Sequence, residues 1–305
     1  MIVSCGEALI DFLPATTAAG RPASEPFPGG SPFNVAIAIG RLGSAAGFYG
    51  GLSTDLFGEM LTGALKAAAV DVSFATVSDR PTTLAFVMLA DGNARYAFFD
   101  EGSAGRMLAE ADLPALPKTI SALHFGSFCL AEEPCGSSFE ALMRREFPDR
   151  VVSLDVNVRP TLVKNRDGYV ARIDRLAAMS DIVKLSEEDL AWLGGELSAF
   201  AEKWLKSGAR LIVLTRGANG AVAVSRHARI EVPSAPAKVV DTIGAGDTFM
   251  AGMLVSLDRR GLLAKDRVAR LSEAELRETL EFAARAAAIT VSRPGADPPW
   301  ARELA

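Results

Sequence analysis

The chain has 305 residues, 49% hydrophobic, 23% charged and 7% aromatic, with 32 basic and 37 acidic side chains for a net charge of -5. This is globular composition, which excludes a disordered, collagen-like or coiled-coil chain, and the length suits one large α/β domain or two smaller ones. No Lys/Arg run marks a nucleic-acid or anionic-membrane surface, so an anionic ligand has to be held locally, by backbone amides or a few placed cations.

The N-terminal MIVSCGEALIDFLP lacks a basic leader and is interrupted by Glu7 and Asp11, so it does not read as a signal peptide. Charge-free stretches such as Pro26–Gly40 fall short of the ~18 apolar residues of a membrane helix. A cytoplasmic protein is expected, with no membrane or nucleic-acid partner. Short apolar runs then alternate with amphipathic segments. Buried strands are predicted at Ala46–Gly51, Ala122–Phe125, Val151–Leu154, Ile182–Leu185 and Leu211–Leu214. Helices are predicted at Pro32–Leu42, Asp55–Ala68, Gly136–Phe147, Tyr169–Met179, Glu187–Leu193 and Ala199–Lys206. Such alternation builds a mostly parallel sheet covered on both faces. One region breaks the pattern. Thr83–Ala90 and Ala94–Asp100 are strand-like arms around Asp91-Gly92-Asn93, a hairpin signal, with Leu84, Phe86 and Met88 set against Tyr96 and Phe98. The hairpin reads as an extra sheet edge, a lid over the ligand end of the sheet, or a subunit contact. Cys5, Cys129 and Cys135 form no C-x-x-C pair, which predicts a reduced compartment without a structural disulfide or cysteine-rich zinc site.

The stretch with most chemistry is VVDTIGAGDTFMAGML, Val239–Leu254. A β-branched run gives way to Gly244-Ala245-Gly246-Asp247 and then to a helical pattern with Phe249, Met253 and Leu257 on one apolar face. Unpaired amides and the helix dipole at that turn attract an anion, and the glycines allow close backbone approach. Asp247 beside an anion site makes sense as the acceptor of a proton from a hydroxyl that attacks a bound phosphate. On the tetrapeptide alone, an early-helix Asp after a Gly turn is the simpler reading. No P-loop and no dinucleotide fingerprint accounts for the glycines.

With GGSPFNVAIAIGRLG at Gly29–Gly43 and FYGGLSTDLFGEML at Phe48–Leu61 added to DTIGAGDTFMAGML, the chain resembles the ribokinase-like, PfkB-type carbohydrate kinases over nearly its whole length. The resemblance implies a three-layer α/β/α sandwich with a small β-sheet lid, as one domain over 1–305 with lid elements around 11–28 and 72–100. It implies Asp247 as catalytic base, with Gly244, Ala245 and Gly246 supplying amides to the transferred phosphoryl group. Asp11, Gly29, Gly30 and Asn34 correspond to the sugar-binding set, Ser31 reading as a helix cap and Pro32 as the helix opener. In Asp155-Val156-Asn157-Val158-Arg159, alternation along an extended segment would put Asp155, Asn157 and Arg159 on one side, Arg159 approaching substrate or phosphate. Lys184, Ser186 and Asp189, in KLSEED, stand in place of an N-x-x-E element. Lys184 and Ser186 fall on the nucleotide side, and Asp189 holds magnesium through water. Thr215, Gly217 and Gly220 correspond to the nucleotide loop, and FAARAAAITVSRPGADPPW to the adenine side, with Arg285 at an unusual place. Asp241 corresponds to a position that helps a monovalent cation order the loop. ATP and Mg²⁺, and potassium beside them, are the implied cofactors.

Within the family, GEALIDFLP, EPFPGGSPFNVAIAIGRLG, KLSEED and VSRPGADPPW are most similar to bacterial fructokinases. That implies transfer from ATP to a primary hydroxyl of D-fructose, giving fructose 6-phosphate, with Tyr96 and Phe98 covering the sugar. A 2-keto-3-deoxygluconate kinase is the alternative, and its carboxylate would need a cation among Arg95, Arg106 and Arg159. A further alternative is a catalytically silent, sugar-responsive regulatory protein. A homodimer through the apolar hairpin is expected.

Overall fold

The computed structural model describes the backbone of residues 1–90 and 93–304, and the side chains of 88–96 lie outside that description. In chain order, β1 (Ile2–Cys5) is followed by the long antiparallel pair β2 (Leu9–Thr16) and β3 (Pro22–Gly29). Next come α1 (Ser31–Arg41), β4 (Ala46–Tyr49), β5 (Gly51–Ser53), α2 (Leu56–Ala67), β6 (Val70–Asp71) and β7 (Thr76–Ser78). The hairpin is β8 (Thr83–Ala90) and β9 (Asn93–Phe99); its Asp91-Gly92 turn falls outside the described residues. The chain then runs β10 (Ala122–Gly126), α3 (Cys135–Glu146), β11 (Val151–Asp155), α4 (Arg166–Ala178), β12 (Ile182–Ser186), α5 (Glu187–Leu193) and α6 (Leu197–Ser207). It closes with β13 (Leu211–Thr215), β14 (Ala221–Ser225), β15 (Arg229–Val232), α7 (Ala245–Arg259), α8 (Lys265–Val268) and α9 (Glu273–Val291).

Nine strands form the central sheet in the order β15-β14-β13-β12-β11-β10-β1-β4-β6, parallel from β13 to β6 and antiparallel at β14 and β15. Alternation along each strand divides the core between the two faces. Ile2, Val151, Ile182, Leu211 and Val213 point to the layer of α1, α2, α7 and α9. Val3, Cys5, Val152, Leu154, Val183 and Ile212 point to the layer of α3, α4 and α6. This is the expected α/β/α sandwich. α7 is buried from Asp247 to Leu257 because it packs between α1, α9 and the sheet, so its Phe249 stripe is one part of an all-round core helix.

A second sheet of four strands, β3-β2-β8-β9, stands beside the first. The register pairs Asp11 with Ala85 and Ala85 with Phe98, while Phe12 pairs with Phe86, and Leu84 with Phe99. The expected pairing of Leu84 and Phe86 with Phe98 is therefore corrected by one residue: Phe98 shares the face of Asp11, and Phe99 shares that of Phe12 and Phe86. The expected span 72–100 narrows too, since β7 pairs with β5 in a separate two-stranded ribbon and only Thr83 onward joins the four-stranded sheet. The run Ala46–Gly51 splits likewise, between β4 and β5. Val239–Ile243 is irregular and exposed, not a buried strand, because no sheet edge reaches it to satisfy its backbone. Among the described residues, no helix is long and apolar enough to cross a membrane.

Candidate active site

The C-terminal ends of the parallel strands open on one side, where ligands sit in open α/β sheets. Ser127, Asp155, Ser186 and Thr215, at the ends of β10 to β13, line a cavity of about 990 Å³ there. The turn into α7 forms one wall, and Leu9, Asp11, Leu13, Val87 and Phe98 of the small sheet form its roof.

Gly244 holds the turn, with φ 74, and a Cβ there would come within 2.7 Å of Ala296 Cβ, so glycine is required twice over. Ala245 opens the helix, its own amide donating to the Thr242 carbonyl at 3.3 Å, and Gly246 and Asp247 of the first turn line the cavity. Asp247 follows in the first turn, buried. Its Oδ1 accepts the Ser31 hydroxyl at 2.6 Å and its Oδ2 the Asn34 amide at 2.9 Å. Burial pushes this carboxyl above its ordinary range, opposed by those two donors and then by the charges of Lys184 and Arg159.

Alternation on β12 sends Lys184 to the α7 face of the sheet, opposite to Val183 and Leu185. Its ammonium is buried, donates to Asp155 Oδ2 at 2.7 Å and lies 3.3 Å from where a Gly246 Cβ would be. Burial disfavours the charge, but the Asp155 carboxylate overrides this and holds Lys184 above its ordinary range. A permanent cation thus sits beneath the amide turn. His124, two strands away on β10, is held well down, to about 3, by burial and by Lys184; it is neutral and bonds Ser153.

Asp11 hangs from the small sheet, with Gly29 packed on its carboxylate so closely that a Cβ there would push the carboxylate aside. Burial, with Asp247 adding and Arg159 opposing, lifts it to about 6. Gly30, not Ser31, is the cap residue of α1, at φ 105 and with Glu7 carbonyl 2.7 Å from the Cβ it lacks. Ser31 is freed from capping and turns to Asp247. Arg159 reaches the cavity rim and bonds the carbonyls of Asn157 and Val158 and the Asn157 side chain. Asp155, Asn157 and Arg159 all line the cavity, although Asn157 (φ 38) breaks the extended run that was expected.

The far end is floored by Thr215, Gly217, Ala218 and Gly220 and walled by Ala284, Ala287, Ala288 and Val291. Arg285 points elsewhere, against Phe282, so it does not obstruct the small-residue wall. Two expected ligands are already engaged. Asp189 gives one oxygen to Val158 N at 2.6 Å and the other to Ser186, whose hydroxyl caps α5 in return. Asp241 accepts the amides of Ile243 and Gly295, bracing the turn against the loop after α9. Among the described residues, no group of three or more His, Cys, Asp and Glu side chains is arranged to hold a metal. Tyr96 lies outside the described side chains, as does Arg95; Arg106 is tied to Glu132 and Asp100, away from the cavity. Sequence reasoning missed Glu7, whose buried carboxylate accepts the Ser31 amide at 3.3 Å; its one signal was a Glu directly after a strand, inside an apolar run.

The pfkB family carbohydrate kinase model matches residues 1–302. The chain belongs to this family. It is 51% identical over 279 residues to a fructokinase of Rhizobium leguminosarum bv. trifolii, covering 91% of this chain and 86% of that one. A crystal structure of fructokinase with bound ATP from Xylella fastidiosa superimposes with a TM-score of 0.90 at 30% identity, covering 99% of this chain and 96% of the other. A fructokinase of Vibrio cholerae O395 in a form with fructose, ADP and calcium ion bound gives 0.83 at 28% identity, over 97% and 94%.

Proposed function

We propose that this carbohydrate kinase is an ATP-dependent fructokinase that transfers the γ-phosphoryl group to a primary hydroxyl of D-fructose, giving fructose 6-phosphate and ADP. The observation that carries the reading is the buried Asp247 carboxylate at the mouth of the Gly244–Gly246 amide turn, in a cavity shared by both sheets. Asp247 takes the hydroxyl proton as the oxygen closes on phosphorus, and the bond from the γ-phosphorus to the ADP oxygen breaks with its electron pair. The turn amides and Lys184 face the charge on the transferred group; no reorganisation is needed, since Asp155 already fixes Lys184. Asp11, Gly29, Gly30, Asn34 and Arg159 form the sugar end. Thr215, Gly217, Gly220 and the alanine wall form the nucleotide end, next to Lys184 and Ser186.

The carboxylates offer hard oxygens but no cage, which fits a hydrated Mg²⁺ carried on the ATP phosphates. Bound Mg²⁺ neutralises phosphate charge. Glu188, exposed on the cavity rim, suits an outer contact through water better than Asp189, whose oxygens are committed. Asp241 braces its turn through two amides, and potassium would reinforce that role through its remaining lone pairs. The four-stranded sheet, as lid of a single domain, excludes water over the sugar, and a second copy of the chain covers its aromatic outer face. Three free, buried thiols suit a reducing cytoplasm.

The test is ADP release with Mg-ATP on fructose, ketodeoxygluconate, ribose and adenosine. Fructose is expected to be preferred, because the similar protein of Rhizobium leguminosarum bv. trifolii at 51% identity is a fructokinase; Arg159, which lines the cavity, suits either substrate and does not decide. Asp247→Asn is expected to bind sugar and ATP and to lose about 10²–10⁴-fold in turnover. Ketodeoxygluconate as best substrate would keep the kinase and move the specificity; sugar binding without any turnover would make the protein a regulatory one.

A further inference from the structure

Ser31 is buried in the first turn of α1, behind the Gly30 cap, and its hydroxyl caps nothing. Its backbone N–H is held by Glu7 Oε1 and its Oγ donates to Asp247 Oδ1, while Asn34 Nδ2 donates to Oδ2. A buried carboxylate with one fixed donor on each oxygen has its plane set. Each oxygen still keeps a lone pair for an incoming hydroxyl.

We propose that Ser31 is a positioning residue for phosphoryl transfer: its hydroxyl aims the Asp247 carboxylate at the acceptor hydroxyl and holds it ionised. This rests on Asp247 being the base, as argued above. The charged groups around Asp247 come from β2, β11, the loop after β11 and β12, while α1 offers the neutral donors Ser31 and Asn34. Asp11 on β2 and Asp155 on β11 disfavour its charge, while Arg159 beyond β11 and Lys184 on β12 favour it. Glu7, after β1, is pushed up by its own burial and reaches Asp247 only through Ser31. Against the desolvation of Asp247, the Ser31 hydroxyl is the foremost opposing contact. The proton moves from the acceptor hydroxyl to Asp247 while Ser31 keeps its own.

The experiment is the pH dependence of kcat and KM for Ser31→Ala with Mg-ATP and whichever sugar of the panel the wild type turns over. A hydrogen bond to a charged group, removed, moves a titration by about one pKa unit. The acid limb of kcat is therefore expected about one unit higher, with kcat near that limb down roughly tenfold and both KM values within about twofold of wild type. Ser31→Thr, which retains a hydroxyl, keeps the limb at its wild-type position. Ser31→Cys, a weaker donor, gives an intermediate one, so the result does not hang on one variant folding. An acid limb that stays put in both Ser31→Ala and Ser31→Cys overturns the proposal, as does a limb displaced equally by Thr and Ala. Wild-type turnover by Asp247→Asn would instead strike the base itself, leaving the two failures distinct.

Discussion

Asp11 shows how a residue proposed for sugar binding can work against its own fold. Its folded pKa of about 6 lies above the ordinary 3.8, with burial as the main cause and Asp247 adding to it. Between about pH 4 and 6 the folded chain binds this proton more tightly than the unfolded chain, so stability from Asp11 is present in full below pH 4 and lost as pH rises through 6. Asp11→Asn removes that loss. The variant is expected to melt a few degrees above wild type at pH 7 and to converge with it near pH 4, while its KM for the sugar rises. Equal melting temperatures at pH 7 would show that the carboxylate is not held at a cost. Such residues differ in how legible they are. Gly244, Gly246 and Asp247 declare themselves locally, because a turn into a helix explains each. Ser31 and Glu7 do not, because the meaning of Ser31 depends on a contact 216 positions away and that of Glu7 on where Ser31 turns.

Among elements, α7 carries the most consequence, since it holds the amide turn and the buried Asp247 at one end and packs along α9 over its length. The close approach is made by Gly252, where a Cβ would lie 2.8 Å from Ala283 Cα. Gly252→Ala is expected to destabilise the protein by about 1–3 kcal/mol through overpacking, seen as a lowered Tm, and to lower kcat as the turn is displaced. Gly63→Ala, in α2, where a Cβ meets nothing within 4 Å, is the control and is expected to stabilise by about 0.5–1 kcal/mol. An unchanged Tm in Gly252→Ala would mean that the helices can part without consequence. The elements themselves were largely legible: six helices lie within about three residues of their predicted ends, because capping residues and apolar periodicity are local. The hairpin register was misread by one residue, since the turn alone does not say which face of each arm meets the cavity.

At the scale of the whole molecule, the sandwich followed from alternation, whereas the separation of the small sheet did not. The lid element around 11–28 came from the resemblance and not from alternation; it is built as β2 pairs with β3 on one side and with β8 on the other. Among the described side chains, that sheet carries apolar residues on both faces, with Asp11 standing on the cavity side. One roofs the cavity; the other stacks Phe12 on Phe86, sets Phe57 of α2 edge-on to Phe12 and leaves Phe99 62% exposed, with Leu56 of α2 at 71%. A free aromatic face of this kind favours association, and burying it against a twofold copy would brace the lid on both subunits at once. Light scattering at micromolar concentration is expected to give a mass near twice 32.1 kDa. Phe99→Asp combined with Leu56→Asp is expected to give the monomer mass and a raised KM for the sugar with a smaller change in KM for ATP, because the far end of the cavity, proposed above for the nucleotide, is lined from β13, α7 and α9 and not from the lid. A wild-type monomer, or a dimer that survives both substitutions, would place the subunit contact elsewhere and leave the lid to close unaided.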